Sequence, residues 1–202
     1  MAAERPDGRE RLLRAAVRHL ETHGEAELRV TEIAEEADVA IGLIRHHFGS
    51  RDGLVAAAQI RRIEGATRED VASARAVIST AGSTDDLLAR IDGLTRAVID
   101  RTRAEVRLSR FAAIATAHGR PEAREAIGGA LGDLLDELAG LIREAQEKDL
   151  ARSDLDPRAI ATFIQSYSLG LIVHDLNADR MDADALVAVI GTALRAVLTP
   201  QG

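Results

Sequence analysis

The sequence predicts an all-α protein built as an N-terminal three-helix head, residues 1–52, followed by a longer bundle of about six helices, residues 53–202. Three observations carry this expectation. Apolar residues recur at three- and four-residue steps through most of the chain, the period that lays a stripe along one side of a helix. No run rich in β-branched residues alternates with period two, so no strand is expected. The four Pro and the clusters of Gly, Ser and Asp fall between the periodic segments, where they start and stop helices.

The first helix is expected over about Asp7 to His23, after Pro6. Leu12, Leu13, Ala16, Val17 and Leu20 form its apolar face, and Gly24 ends it. Thr31 to Ala37 reads as a short second helix with Ile33, Ala34 and Ala37 inward. Asp38 makes the turn, Val39 plugs it, and a third helix runs from about Ile41 to Phe48. Ile44 and Phe48 lie four apart and share a face, which leaves Leu43, Arg45, His46 and His47 to point elsewhere. Gly49-Ser50 breaks the chain, with Ser50 as N-cap. A long helix then starts at Arg51, with Leu54, Val55, Ala58 and Ile63 inward, and continues to about Ser79 or breaks near Gly65.

In the second part, Ser83 or Thr84 caps a helix carrying Leu87, Ile91, Leu94 and Val98. Another spans about Ala104 to Ala117, with Leu108, Phe111, Ile114 and Ala115 as its apolar side. After the break at His118-Gly119-Arg120-Pro121, the segment Pro121 to Lys148 carries Ile127, Leu131, Leu134, Leu138, Leu141 and Ala145. Asp156 and Pro157 are an N-cap and N1 pair that opens a strongly apolar helix to about Ala178. A last helix, about Asp182 to Leu198, carries Leu186, Ile190, Ala193, Leu194 and Val197.

Composition narrows the function classes. A net charge of -7 argues against a simple polyanion binder, and even residues 1–52 carry eight Arg against eleven Asp or Glu. Local charge differs: from Val39 to Arg51 there are two Arg, two His and no carboxylate. Arg9, Arg11, Arg14 and Arg18 add a basic first helix. The absence of Cys excludes a disulfide framework and a thiolate metal site. No catalytic constellation is present: there is no Gly-rich nucleotide loop, no HExxH and no GxSxG. No enzyme activity, metal or cofactor is therefore expected. His46 and His47 are helix neighbours about 100° apart, a poor metal pair. No apolar run reaches the length of a membrane span, and MAAERPDGRER has no apolar signal core, so the cytoplasm is the expected location.

The stretch Thr31–Asp52 resembles the helix-turn-helix of the TetR family of bacterial transcriptional regulators. The matching residues are Ile33-Ala34, Ala37-Asp38-Val39, Gly42, Ile44, His47-Phe48 and Ser50-Arg51-Asp52-Gly53-Leu54, within a likeness that covers about residues 9 to 58. Asp38 stands where the family has Gly, at a position that calls for φ > 0. Arg29 stands where a Ser or Thr cap is usual, and Arg45 and His46 where aromatics are common.

The resemblance implies sequence-specific binding of double-stranded DNA by a homodimer at an inverted-repeat operator. It also implies repression relieved by a small-molecule effector of unknown identity, with the second part of the chain serving dimerisation and ligand binding. Arg45, His46 and His47 are the candidates for DNA contact, and Leu43 for a thymine methyl. Thr31 and Arg51, at helix starts, are candidates for phosphate, with Arg9 and Arg14 behind them. Helices 157–178 and 182–198 are the expected subunit contact.

Phe111, His118 and Tyr167 are the ligand-pocket candidates, and with 2% aromatics the pocket should be mainly aliphatic. Phe163, Tyr167, Gly170 and His174 form one stripe that serves a pocket or a subunit contact. Arg103, Arg107 and Arg110 either meet an anionic ligand or are solvated surface, the latter expected for at least two of them. A reading of another class is a helical adaptor that binds a protein partner without DNA.

Overall fold

The computed structural model describes residues 7–179 and 181–200, residue 66 by its backbone alone. The expected role of Pro6 lies outside them. All regular structure among the described residues is helical: α1 Gly8–Thr22, α2 Val30–Glu36, α3 Gly42–Phe48, α4 Arg51–Thr80, α5 Thr84–Ile99, a 3₁₀ turn Arg101–Arg103, α6 Ala104–Ala115, α7 Pro121–Glu147, α8 Pro157–Gly170, α9 Ile172–Leu176 and α10 Ala183–Leu198. No described helix is long and apolar enough to cross a membrane.

The helix boundaries follow from their caps. Asp7 accepts from the Glu10 N–H at 2.8 Å and opens α1, while Gly24, at φ +78°, lets the chain leave it. Arg29 occupies the N-cap of α2 and gives no side-chain bond, as its side chain has no acceptor. The turn after α2 is closed by Asp38 N–H to Glu35 O and Val39 N–H to Ala34 O, at 3.0 and 3.1 Å. Asp38 takes φ +52°, the conformation expected where the family carries Gly, and Arg11 donates to its carbonyl at 3.1 Å. Ser50 caps α4 through the Gly53 N–H at 3.0 Å, and α4 runs unbroken past Gly65. Ser83 caps α5 and Asp156 caps α8, both through backbone N–H groups three residues on.

The described residues divide into two compact units. The first holds the chain up to Gly65 together with Ala112–Ala130; the second holds Ala66–Phe111 and the chain from Leu131 on. This differs from the expected division at residue 52, and α4, α6 and α7 each give residues to both units. Polar links within the first unit supply the reason. Gln59 donates to Thr116 Oγ1 at 3.4 Å, Thr116 donates to Glu25 at 2.8 Å, and Arg120 pairs with the same Glu25 carboxylate. Beneath them Leu12, Leu20, Ile33, Ile44, Leu54 and Val55 form one buried core, each side chain contributing about 1.5–3 kcal/mol by removal from water.

In the second unit Leu87, Ile142, Ile160, Ala161, Leu194 and Leu198 form the core. Two expectations are corrected here. Helix α6 does not bury Leu108, Phe111 and Ala115, which are exposed; Arg107, only 3% exposed, and Ala113 are its buried residues. Arg107 faces inward because Asp175 meets it there, at 2.5 Å from Nε and 2.7 Å from Nη2, while Val98 O accepts from Nη1 and Asp100 O from Nη2. A paired, fully bonded guanidinium can be buried where an isolated one cannot. The expected single helix to Ala178 is also divided: α8 stops at Gly170, a poor helix former, and α9 ends at Leu176 before the extended Asn177.

Candidate nucleic-acid interface and ligand cavity

Helix α3 is short and held from three sides. Ile44 is buried in the head core, Phe48 is half-buried, and the Arg9 guanidinium lies 5.3 Å from the Phe48 ring centroid. Leu43 turns back toward the start of α1: a Cβ on Gly8 would lie 3.3 Å from Leu43 Cδ1. Leu43 is half-buried and packs against the head core. Arg45, His46 and His47 are exposed, with the two imidazoles stacked edge-on at 4.7 Å between centroids. Ile41, just ahead of α3 and 49% exposed, is an apolar tip that periodicity did not single out.

Charge pairing sorts the head's arginines. Arg11 meets Asp38, Arg14 meets Glu10, Arg18 meets Glu36, Arg29 meets Glu32 and Arg61 meets Glu10. The Arg61 hydrogen bond, then that of Arg14, holds the Glu10 carboxyl below the usual range. Arg45 makes no ion pair among the described residues, so its charge is left to whatever approaches α3. Arg14 is thus paired with a carboxylate that it shares with Arg61, while Arg9 is exposed over Phe48.

Arg51 is placed differently from the expectation. Its Nε donates to Leu28 O at 3.1 Å and its Nη2 to Glu25 O at 2.7 Å, while Nη1 reaches Asp52 at 3.3 Å. The guanidinium ties the start of α4 to the loop before α2, with about a third of the side chain still exposed. Thr31 is exposed in the first turn of α2 and is not its cap.

The second unit contains a partly open cavity of about 180 Å³. Its wall is aliphatic, with Val71, Val77, Ile91, Leu94, Leu138 and Ile164 among the lining side chains. The one aromatic residue in the lining is Tyr167, whose hydroxyl is raised in pKa by burial, an effect opposed by a hydrogen bond with Thr95. Asp70 and Arg103 are the charged residues of the lining, 2.6 Å apart, and Arg110 reaches the other Asp70 oxygen at 2.7 Å. Of the expected pocket residues, Tyr167 lines this cavity. Phe111, 48% exposed, and His118, exposed in the turn after α6, do not. The apolar spacing that singled out Phe111 describes the side of α6 that Arg107 turns outward. The expectation of solvated surface is likewise revised for Arg103, Arg107 and Arg110, each drawn onto a carboxylate.

The Phe163, Tyr167, Gly170 and His174 stripe is split. Tyr167 lines the cavity and also an open groove that Gly170, Val173, His174, Met181 and Ile190 share. Phe163 lies 6.0 Å from the Tyr167 ring and is exposed. Val173, Leu176, Met181 and Val189 are large apolar side chains left more than half exposed on α9, α10 and the segment between them.

Residues 12–58 match the profile of the bacterial regulatory proteins of the TetR family, and residues 89–199 that of the C-terminal part of BetI-type transcriptional repressors. The HTH-type transcriptional regulator BetI of Stenotrophomonas maltophilia (strain R551-3) is 39% identical over 90 residues, 44% of either chain. The aligned part thus spans less than half the length of that curated relative. Among solved structures, a structural-genomics chain from Rhodococcus sp. RHA1 superposes with a TM-score of 0.69 at 18% identity, over 94% of this chain and 96% of that one. Salmonella enterica GusR gives 0.65 at 20% identity over 98% of both chains. A chain from Saccharomonospora viridis, solved in complex with choline, gives 0.63 at 21% identity over 96% of this chain and 98% of that one. At these identities the superpositions establish a shared fold.

Proposed function

The chain belongs to the TetR family of bacterial regulatory proteins, and on that premise we propose that it is a sequence-specific DNA-binding transcriptional regulator, a homodimeric repressor released from its operator by a small molecule. The observation that carries the reading is the outer face of α3. It presents Arg45, His46 and His47 exposed, with Arg45 uncompensated, in a head whose other arginines are largely spent on carboxylates. An exposed helix face with an Arg fork and two imidazoles suits base edges and phosphates of a major groove, and Ile41 suits a thymine methyl. Two copies about a dimer axis would read an inverted repeat.

The apolar residues Val173, Leu176, Met181 and Val189 support the second copy as the partner of α9 and α10. The aliphatic cavity supports a small-molecule effector. Such an effector shifts DNA occupancy only if it binds the DNA-incompetent form more tightly. The choline found with the Saccharomonospora viridis chain is a poor guide here, because quaternary ammonium recognition relies on aromatic faces and this lining offers Tyr167 alone. The test is selection of bound duplexes from a random pool, followed by titration of the recovered and a scrambled duplex at two salt concentrations. A recovered inverted repeat bound in preference to the scrambled duplex is the expected result; equal binding of both would remove the regulator reading.

A further inference from the structure

Taking the cavity as the effector site, as the proposed function has it, we infer that its ligand is an unbranched aliphatic chain ending in a carboxylate or similar anion, with the head held by Arg103 at the Asp70 end. Three observations combine. First, the volume of about 180 Å³ exceeds the ~150 Å³ apolar cavity that accepts a benzene, yet falls below the roughly 300–1,000 Å³ of drug-sized pockets. With an aliphatic wall, a slim flexible chain fits where a stacked planar ligand lacks partners.

Second, the charge sits at one place. Asp70 from α4 takes Arg103 on one oxygen and Arg110 on the other, so two guanidiniums share one carboxylate. An added cation would have to compete with both arginines for Asp70. The contact with Asp70 uses one Nη of Arg103, and a guanidinium carries five N–H donors in a fixed fork, so it can hold Asp70 and a second carboxylate together. Third, Arg103 and Asp70 keep about a quarter of their side-chain surface exposed, at 26% and 24%. The polar end of the cavity therefore meets water, where a ligand head stays solvated while its tail is buried.

The experiment uses the full-length, DNA-free protein and calorimetric titration with hexanoate, octanoate and decanoate, the matching primary alcohols, the matching alkyltrimethylammonium salts, and choline. The carboxylates should tighten about fourfold per added methylene until the cavity is full. They should exceed the alcohol of equal length by about tenfold or more, the scale of a hydrogen bond to a charged group. Arg103→Gln should erase the preference for carboxylate over alcohol while keeping the dependence on chain length. Asp70→Asn, which removes the competing carboxylate, should tighten the carboxylates and guards against misreading an unstable Arg103 variant. Binding of an alcohol or an ammonium salt as tight as that of the carboxylate, or no binding of any carboxylate, overturns the assignment. The regulator reading is judged separately by duplex selection. Carboxylate binding by a protein that selects no operator would sink that reading alone, and a selected operator with choline-type binding would sink this one alone.

Discussion

A Cβ placed on Gly53 would lie 2.0 Å from the carbonyl oxygen of Phe48. That oxygen also accepts the Ser50 N–H at 2.8 Å, and Ser50 in turn caps α4 through the Gly53 N–H. The end of the exposed helix and the start of the long one are thus locked by a backbone approach that no side chain allows. Gly53→Ala should cost the head about 1–3 kcal/mol through forced backbone displacement. It should also weaken operator binding, because α3 is re-aimed. Urea unfolding followed by circular dichroism, with operator titration in parallel, checks this; an unchanged midpoint would show that the joint yields cheaply.

Arg45 and Arg51 are both basic, yet the structure gives them different work. Arg45→Ala removes an exposed charge with no ion pair among the described residues and should cost about 1–3 kcal/mol on the operator if the fork reads a base. If instead it holds a phosphate, the slope of log affinity against log salt should fall by about one unit on every duplex. Arg51→Ala removes bonds to Leu28 O and Glu25 O. It should lower head stability and weaken all duplexes alike while leaving that slope unchanged. A slope reduced by a full unit in Arg51→Ala would return the residue to the phosphate-holding class.

The buried Arg107–Asp175 pair ties α6 to α9. Asp175→Asn takes the carboxylate from the buried Arg107 guanidinium and should destabilise by about 3–5 kcal/mol, and Arg107→Met should destabilise as well. The double variant should recover part of the loss, since a buried pair replaced as a pair is far cheaper than a pair broken. A double-mutant cycle by urea denaturation reads this, and additive losses would show that the two side chains act independently.

The subunit contact is tested best by residues outside the fold's own core. Leu194 is 2% exposed, so Asp there reports unfolding and not dissociation. Val173 and Leu176 are 74% and 72% exposed. Val173→Asp with Leu176→Asp should leave helicity unchanged and convert a dimer to a monomer in sedimentation at micromolar concentration. A variant that sediments like the parent chain would move the interface elsewhere.

The head was largely legible in the sequence because local chemistry dictates it. Gly24 and Ser50 act as terminator and cap where the head's helices end and begin, as Asp156 does for α8 in the second unit, and Asp38 takes φ +52° because a tight turn demands it there. What escaped is long-range pairing. Apolar spacing put Leu108 and Phe111 inward on α6, and nothing local to Arg107 says that Asp175, far along the chain, will draw it into the interior. Arg51 likewise looks like a free cation until the carbonyls of Glu25 and Leu28 are brought beside it. Arg103 was singled out by sequence, but its partner Asp70 and the Thr95–Tyr167 bond come together only through packing of separate helices.

Tyr167 has a spectroscopic consequence. The chain contains no Trp and a single Tyr, and that Tyr stands in the cavity wall. With excitation above the phenylalanine band, all intrinsic emission arises from one phenol at the proposed ligand site. Quenching, a shift in lifetime or the onset of tyrosinate absorbance therefore reports occupancy and hydration of that cavity without a label, and unfolding of the second unit can be followed apart from the head, which is silent.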